Sequence, residues 1–123
     1  MVRRDPSGQR PTVESTQGAT SVAAMLESVV GCKWSVRVLE ILARGRSRPS
    51  QILRECPGLS AKVMNERLRK LMRYGIVERS VYGEKPPVRV EYALTPFGRR
   101  FIEIVEAVRR LQEEIDRAQG GPR

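Results

Sequence analysis

The chain has 123 residues, of which 40% are apolar and 30% are charged, and its net charge is +9. This size and composition predict one small globular domain, and no apolar run reaches the roughly 18 residues that a membrane span requires. The chain has no histidine and only two cysteines, which argues against histidine-assisted catalysis, zinc sites and disulfide scaffolds. We therefore expect neither an enzyme nor a bound cofactor or metal. Since the N-terminus carries no hydrophobic signal segment, we expect a cytoplasmic protein.

The N-terminal third of the chain divides into a polar segment and two helices. Residues 1–18 are rich in Pro, Gly, Ser and Thr without periodicity, which predicts a flexible arm. Thr20 or Ser21 is placed to cap a first helix that ends at Gly31. A second helix is predicted from about Trp34 to Ala43, and its broad apolar face is typical of a helix that is buried on several sides.

Two further helices follow in close succession. Arg48-Pro49-Ser50 begins a short third helix, because proline is favoured in the first turn. Cys56-Pro57-Gly58 then predicts a tight turn. Ser60 caps a fourth helix from about Ala61 to Tyr74, which Gly75 closes. Two helices joined by a short turn that contains glycine match a helix-turn-helix motif.

A change of period after the fourth helix predicts a β-hairpin. Residues 88–94 alternate between apolar and other side chains, as in a half-buried strand, and residues 76–82 are a suitable antiparallel partner. The intervening residues 83–87 include two prolines, which cannot lie inside a sheet and so predict an exposed loop. A hairpin that directly follows a helix-turn-helix is a wing. The predicted fold class is mainly α with a small β-hairpin wing, a winged helix-turn-helix that occupies residues 19–118.

The last helix begins with Thr95 as its cap and Pro96 at its first position. Its apolar residues follow heptad spacing, and residues 119–123 are expected to form a disordered tail. The apolar stripe exceeds what so small a domain needs, so we expect a second copy of the chain to cover it, together with the first helix. The alternative is that the helix folds back on its own domain. The expected dimer contacts are Val22, Met25, Val29, Phe101, Ile104, Val108, Leu111 and Ile115.

The fourth helix is the predicted DNA-recognition element. A recognition helix places its N-terminal end in the major groove, and the polar residues expected to face DNA lie away from the apolar stripe. Asn65 can pair with adenine and Glu66 can accept from cytosine N4. Glu66 can equally form a surface ion pair with Lys62 or Lys70, and both interpretations stay open. The predicted recognition set is Ser60, Ala61, Lys62, Asn65, Glu66 and Arg69.

The net charge is concentrated around these elements. Residues 44–100 contain 14 basic and 5 acidic residues, so this window carries all of the excess positive charge, which attracts a polyanion such as DNA. The basic side chains outside the recognition helix are predicted to contact phosphates. These are Arg48, Arg54, Arg73, Arg79, Lys85 and Arg89.

Several short segments, in this order and spacing, carry a family resemblance. They are Gly31-Cys32-Lys33-Trp34, Pro57-Gly58-Leu59-Ser60, Leu68 with Leu71, Gly75-Ile76-Val77, Pro86-Pro87, and Val90-Glu91-Tyr92-Ala93-Leu94-Thr95 with Gly98. Over about residues 21–111 the chain resembles the HxlR-type family of bacterial winged-helix regulators, which are relatives of the MarR group.

The resemblance implies a homodimer with the first and last helices at its interface and two recognition helices in successive major grooves. Some members of the family sense oxidants through a cysteine just before the first helix, where this chain has Ser21. Cys32 and Cys56 are expected to be buried and inert.

These observations predict a sequence-specific transcriptional regulator, either a repressor or an activator, that is associated with the nucleoid. It would bind double-stranded DNA as a homodimer at an inverted repeat, with half-site centres about 10 base pairs or a multiple apart. A crevice at the dimer interface is a candidate site for a small-molecule effector, although no sequence feature identifies one. Two alternatives stay open: a winged helix that only contacts proteins, and one that binds RNA.

Overall fold

The computed structural model describes residues 20–120, and these form five helices and one two-stranded antiparallel sheet. The predicted arm, residues 1–18, and the end of the predicted tail, residues 121–123, lie outside the described residues. None of the helices in the described part is long and apolar enough to cross a membrane. The elements are α1 (Val22–Val30), α2 (Lys33–Ala43), α3 (Pro49–Glu55), α4 (Ala61–Arg73), β1 (Val77–Tyr82), β2 (Arg89–Leu94) and α5 (Pro96–Ala118).

The helix starts follow the predicted caps. The hydroxyls of Ser21, Ser60 and Thr95 each accept the backbone N–H three residues further along, at 3.1, 3.1 and 2.9 Å. Such a bond satisfies one of the N–H groups that a helix leaves unpaired in its first turn. Each of these three helices therefore begins where local sequence chemistry alone places it.

The core surrounds α2. Its residues Val38, Leu39, Ile41 and Leu42 are at most 2% exposed, as the broad apolar face of this helix predicts. The stripe predicted for α4 also packs inward, with Met64, Leu68 and Leu71 buried and Met72 half-buried. The core thereby fixes how α4 is rotated, and so which of its side chains face solvent.

The wing is the predicted hairpin, with β1 paired to β2 from Val77 opposite Leu94 to Tyr82 opposite Arg89. The sheet has one feature that periodicity did not predict. Ser47, just before α3, exchanges backbone hydrogen bonds of 2.9 and 2.8 Å with Tyr92. This bridge ties the start of the helix-turn-helix to the base of the wing.

The last helix has two parts with different surroundings. In its first half Phe101, Ile102 and Val105 are buried in the core. Further along, Leu111 and Ile115 are exposed at 58% and 41%. Each alternative for α5 therefore describes part of the helix. Phe101, Ile102 and Val105 pack on its own domain, whereas Ile104, Leu111 and Ile115 leave apolar surface uncovered.

Two residues of the predicted dimer contact set belong to the core instead. Val29 and Phe101 are each only 1% exposed, because the heptad stripe of α5 and the apolar face of α1 both turn partly towards α2. They retain no surface that a second copy could cover, and we correct their assignment from interface to core. The other predicted contacts keep exposed or half-buried side chains, and these are Val22, Met25, Ile104, Val108, Leu111 and Ile115.

Candidate nucleic-acid interface

The outer face of α4 gathers the predicted recognition residues. Ser60, Ala61, Lys62, Asn65, Glu66 and Arg69 are all exposed. Their spacing along a helix with 3.6 residues per turn places them on one side, while the buried stripe occupies the opposite side. The structure therefore brings all six together into one polar surface, which we call the α4 ridge.

The beginning of the ridge is suited to an anion. Ser60 Oγ accepts a hydrogen bond from the backbone N–H of Val63. The N–H groups of Ala61 and Lys62 have no acceptor within the helix. The aligned peptide dipoles make this end electropositive, and Lys62 adds a full positive charge. A phosphate or an electronegative base edge is the chemistry that such a helix end receives.

Glu66 does not form the ion pair that was the alternative to base contact. Within residues 20–120 the ion pairs are those of Glu40, Glu55 and Glu91 with nearby arginines. Lys62, Lys70 and Glu66 take part in none of them. Among the described residues, therefore, no cation occupies the carboxylate of Glu66, which can accept a hydrogen bond on the ridge.

The six predicted phosphate contacts lie on α3, α4 and the wing, and all six side chains are exposed. Arg48 and Arg54 lie at α3 and Arg73 at the end of α4. The wing carries Arg79, Lys85 and Arg89. Arg89 is the most restrained of them. Its Nε lies 3.2 Å from a carboxylate oxygen of Glu91, and its guanidinium lies 5.1 Å from the ring centroid of Tyr82.

Comparison with known proteins identifies the family of this chain. A family model described as HxlR-like helix-turn-helix matches residues 29–119. The chain belongs to this family. The HTH-type transcriptional regulator sll1512 of Synechocystis is 46% identical over 79 residues, 64% of this chain and 58% of that protein. YtcD of Bacillus subtilis, described in the same way, is 38% identical over 86 residues, 70% of this chain and 67% of that protein. The matches thus span between 58% and 67% of these relatives.

Solved structures of regulators share the fold of this HxlR-like chain. Diamide-treated YodB from B. subtilis superposes with a TM-score of 0.68 at 28% identity, covering 82% of this chain and 93% of YodB. A MarR-family transcriptional regulator from Enterococcus faecalis gives 0.69 at 26% identity, covering 85% and 97%. The redox regulator HypR in its reduced form gives 0.66 at 33% identity, covering 76% and 92%. The winged helix-turn-helix predicted from sequence is confirmed.

Sequence reasoning missed one basic residue of this surface in the HxlR-like chain. Arg46 precedes the Ser47–Tyr92 bridge, and its Nε lies 3.8 Å from the same Glu91 carboxylate that Arg89 contacts. Its guanidinium also lies 3.5 Å from Ser80 Oγ on β1. No local pattern marks Arg46 as part of the wing, because only the pairing of Ser47 with Tyr92 brings it there.

The two cysteines differ in their environments, and only Cys56 is buried as expected. Cys56 is buried, and burial raises the pKa of its thiol more than the charge of Arg37 lowers it. Cys32 is only half-buried. Burial by itself raises the pKa of Cys32, but the polar groups of Ser35, the charge of Arg67 and the N–H of Trp34 favour the thiolate and lower the pKa overall.

Arg67 lies on the inner side of α4, away from the ridge. Its Nε is buried and has no hydrogen-bond partner within the described residues. Arg67 is therefore not one of the exposed side chains of the ridge. Its charge acts instead on the thiol of Cys32.

Proposed function

We propose that this HxlR-like protein is a transcriptional regulator that binds double-stranded DNA as a homodimer at an inverted-repeat operator. The observation that carries the proposal is the α4 ridge, a polar surface at an electropositive helix end with unpaired Lys62, Glu66 and Arg69 inside residues 20–120. A helix that only contacted proteins would not need this set of side chains.

In the proposed complex Asn65 and Glu66 read base edges, and Lys62 and Arg69 reach guanine acceptors or phosphates. The exposed arginines and Lys85 around the ridge hold the backbone on either side. Such contacts orient the protein on the duplex without reading its sequence. Arg46 and Arg89 share one carboxylate, Glu91, so one positive charge in this cluster remains to be neutralised by a phosphate.

The proposed dimer interface joins α1 and the exposed apolar side of α5 from Ile104 to Ile115. Leu111 is 58% exposed, Val22 46%, Ile104 43% and Ile115 41%. Burying such apolar surface at an interface contributes a favourable free energy of roughly 25 cal/mol per Å². A two-fold axis through this surface would present two α4 ridges on one side of the dimer. Half-site centres would then lie about 10 base pairs or a multiple apart.

Selection of DNA from a random library, followed by fluorescence anisotropy at two salt concentrations, tests the proposal. We expect a palindromic consensus, two chains per duplex, and a steep loss of affinity with salt, about 0.9 in the log–log slope for each phosphate neutralised. Structured RNA should compete less well than duplex DNA. Binding that is absent or insensitive to salt would instead support a protein-interaction module, and stronger competition by RNA would support an RNA-binding protein.

A further inference from the structure

A groove lies on the molecule where α1 ends, α2 begins and α3 gives way to the turn before α4. Its volume is about 620 Å³, and small-molecule sites commonly have about 300–1,000 Å³. Val30, Trp34 and Pro57 contribute apolar wall, and Arg109 of α5 closes the groove from another side. It lies apart from the exposed residues of the α4 ridge and does not contain any of them.

Positive charge exceeds negative charge at this groove. Within the described residues its lining includes Lys33, Arg37 and Arg109, against one carboxylate, Glu55. That carboxylate is already paired with Arg44, outside the groove. Glu55 therefore does not fully neutralise Lys33, Arg37 or Arg109.

Arg37 and Arg109 share one carboxylate within the described residues. Glu40 on α2 pairs through one carboxylate oxygen with Arg37, at 3.2 Å, and through the other with Arg109. One carboxylate thus serves two guanidinium groups, and Lys33 forms no ion pair within residues 20–120. An anion that enters the groove would find a net positive charge and two planar guanidinium groups, which suit a carboxylate.

A flat apolar wall lies beside these cations. The ring of Trp34 lies beside Gly58, where a β-carbon would be in ordinary van der Waals contact with it at 3.7 Å. Lys33 Nζ lies 5.0 Å from the centroid of the same ring, so a charged group and an aromatic surface are adjacent. Such a pairing accommodates a ligand that has a ring at one end and a negative charge at the other.

We propose that this groove binds a small aromatic carboxylate, with its ring against Trp34 and Pro57 and its carboxylate held by Lys33, Arg37 and Arg109. The site has a direct connection to the recognition helix. Arg37 also donates a hydrogen bond of 3.3 Å to the carbonyl oxygen of Glu55, the last residue of α3. A ligand that draws Arg37 towards itself therefore acts on the turn that leads into α4, and this second step rests on the proposed function.

Calorimetric titration of the whole 123-residue chain with 1-naphthoate tests the site, with uncharged 1-naphthamide as the matched probe. We expect saturable binding of one 1-naphthoate per chain, and binding of 1-naphthamide at least tenfold weaker. The indole N–H signal of the single tryptophan in a ¹H–¹⁵N spectrum should shift on titration. Equal binding of the two probes would show that charge plays no part and would overturn the proposal.

Charge-reversal variants separate the groove from the general basicity of the protein. Lys33→Glu, at a side chain that forms no ion pair in the described part of the chain, should weaken 1-naphthoate binding at least tenfold. Arg100→Glu changes the net charge equally at an exposed position outside the groove, and should change binding less than twofold. Equal losses in the two variants would mean non-specific attraction of the anion and would reject the site.

Two further measurements distinguish the remaining outcomes. If a second copy of the chain fills the groove, the dimer will not bind 1-naphthoate and the fluorescence of Trp34 will be protected from quenching by acrylamide, which would overturn the proposal.

Saturating 1-naphthoate should change the affinity for selected DNA at least threefold in the wild type but not in Lys33→Glu. Binding of 1-naphthoate without any DNA binding would reject the proposed function and leave the site standing. An unchanged DNA affinity would reject only the connection through Arg37.

Discussion

The α-carbon of Gly98 packs directly on the carbonyl group of Ile76, and a β-carbon at position 98 would overlap that carbonyl oxygen. The contact lies where the first turn of α5 crosses the start of β1. Thr95 stabilises the same crossing. Its N–H donates to the carbonyl oxygen of Ile76 at 3.0 Å, and its hydroxyl donates to the carbonyl oxygen of Gly75 at 2.6 Å. This crossing sets the position of α5 relative to the wing.

Gly98→Ala should therefore destabilise the protein, although alanine is ordinarily the better helix former. The backbone oxygen cannot move aside as a side chain can, so we expect a loss of about 1–3 kcal/mol in the free energy of unfolding. Urea unfolding followed by circular dichroism measures it. The neighbouring exposed variant Arg99→Ala should stay within about 0.5 kcal/mol of wild type. An unchanged or raised stability of Gly98→Ala would contradict the packing described for this joint.

Asn65→Ala on the α4 ridge should relax the preference at one base position. An amide that pairs with adenine contributes about 1–3 kcal/mol of discrimination, so the preferred operator should lose affinity while variants at that base pair lose little. Competition anisotropy over a panel of single-base operator variants measures the change. A uniform loss across the panel would show that Asn65 contacts the backbone and does not read a base.

Arg89→Ala on the wing should weaken all DNA sequences alike. Its contacts with Glu91 and Tyr82 hold the guanidinium in one orientation, which suits a phosphate contact of low entropic cost. The slope of log affinity against log salt should fall by about 0.9 if one phosphate contact is lost. Arg100→Ala, on α5, is the control and should leave the slope unchanged. A change of consensus sequence in Arg89→Ala would show base reading by the wing.

Leu111→Glu should dissociate the proposed dimer. A carboxylate at the centre of the α5 stripe would be desolvated or repelled by its symmetry mate, so the dimer dissociation constant should rise at least tenfold in sedimentation velocity. Val81→Glu is a matched control, because Val81 is exposed at 48% on the wing and lies outside the proposed interface. Dissociation in both variants, or in neither, would place the interface elsewhere.

Cys32 should react with iodoacetamide faster than Cys56 at neutral pH. The thiolate is the reactive form, and the pKa of Cys32 is lowered whereas that of Cys56 is raised. The rate for Cys32 should therefore level off at a lower pH, and Cys56 should still be gaining reactivity there. Mass spectrometry of Cys32→Ser and Cys56→Ser distinguishes the two sites. Faster labelling of Cys56 would mean that burial does not govern these thiols.

The order of the elements and most of their ends were set by short-range chemistry that is legible in the sequence. Ser21, Ser60 and Thr95 cap the helices that they precede, and two prolines exclude residues 86–87 from the strands. The polar side of α4 was predictable for the same reason, since the 3.6-residue period assigns each side chain to a face once the apolar stripe is known.

Tertiary structure alone decided what covers each apolar face. The helical spacing of apolar residues shows that Val29 and Phe101 are turned away from water. It does not show whether they pack in the core of their own chain or against a second copy. The Ser47–Tyr92 bridge, the place of Arg46 beside the wing and the groove at Trp34 likewise join segments that are distant in sequence. Contacts of this kind depend on how the elements pack in three dimensions, and no local pattern records them.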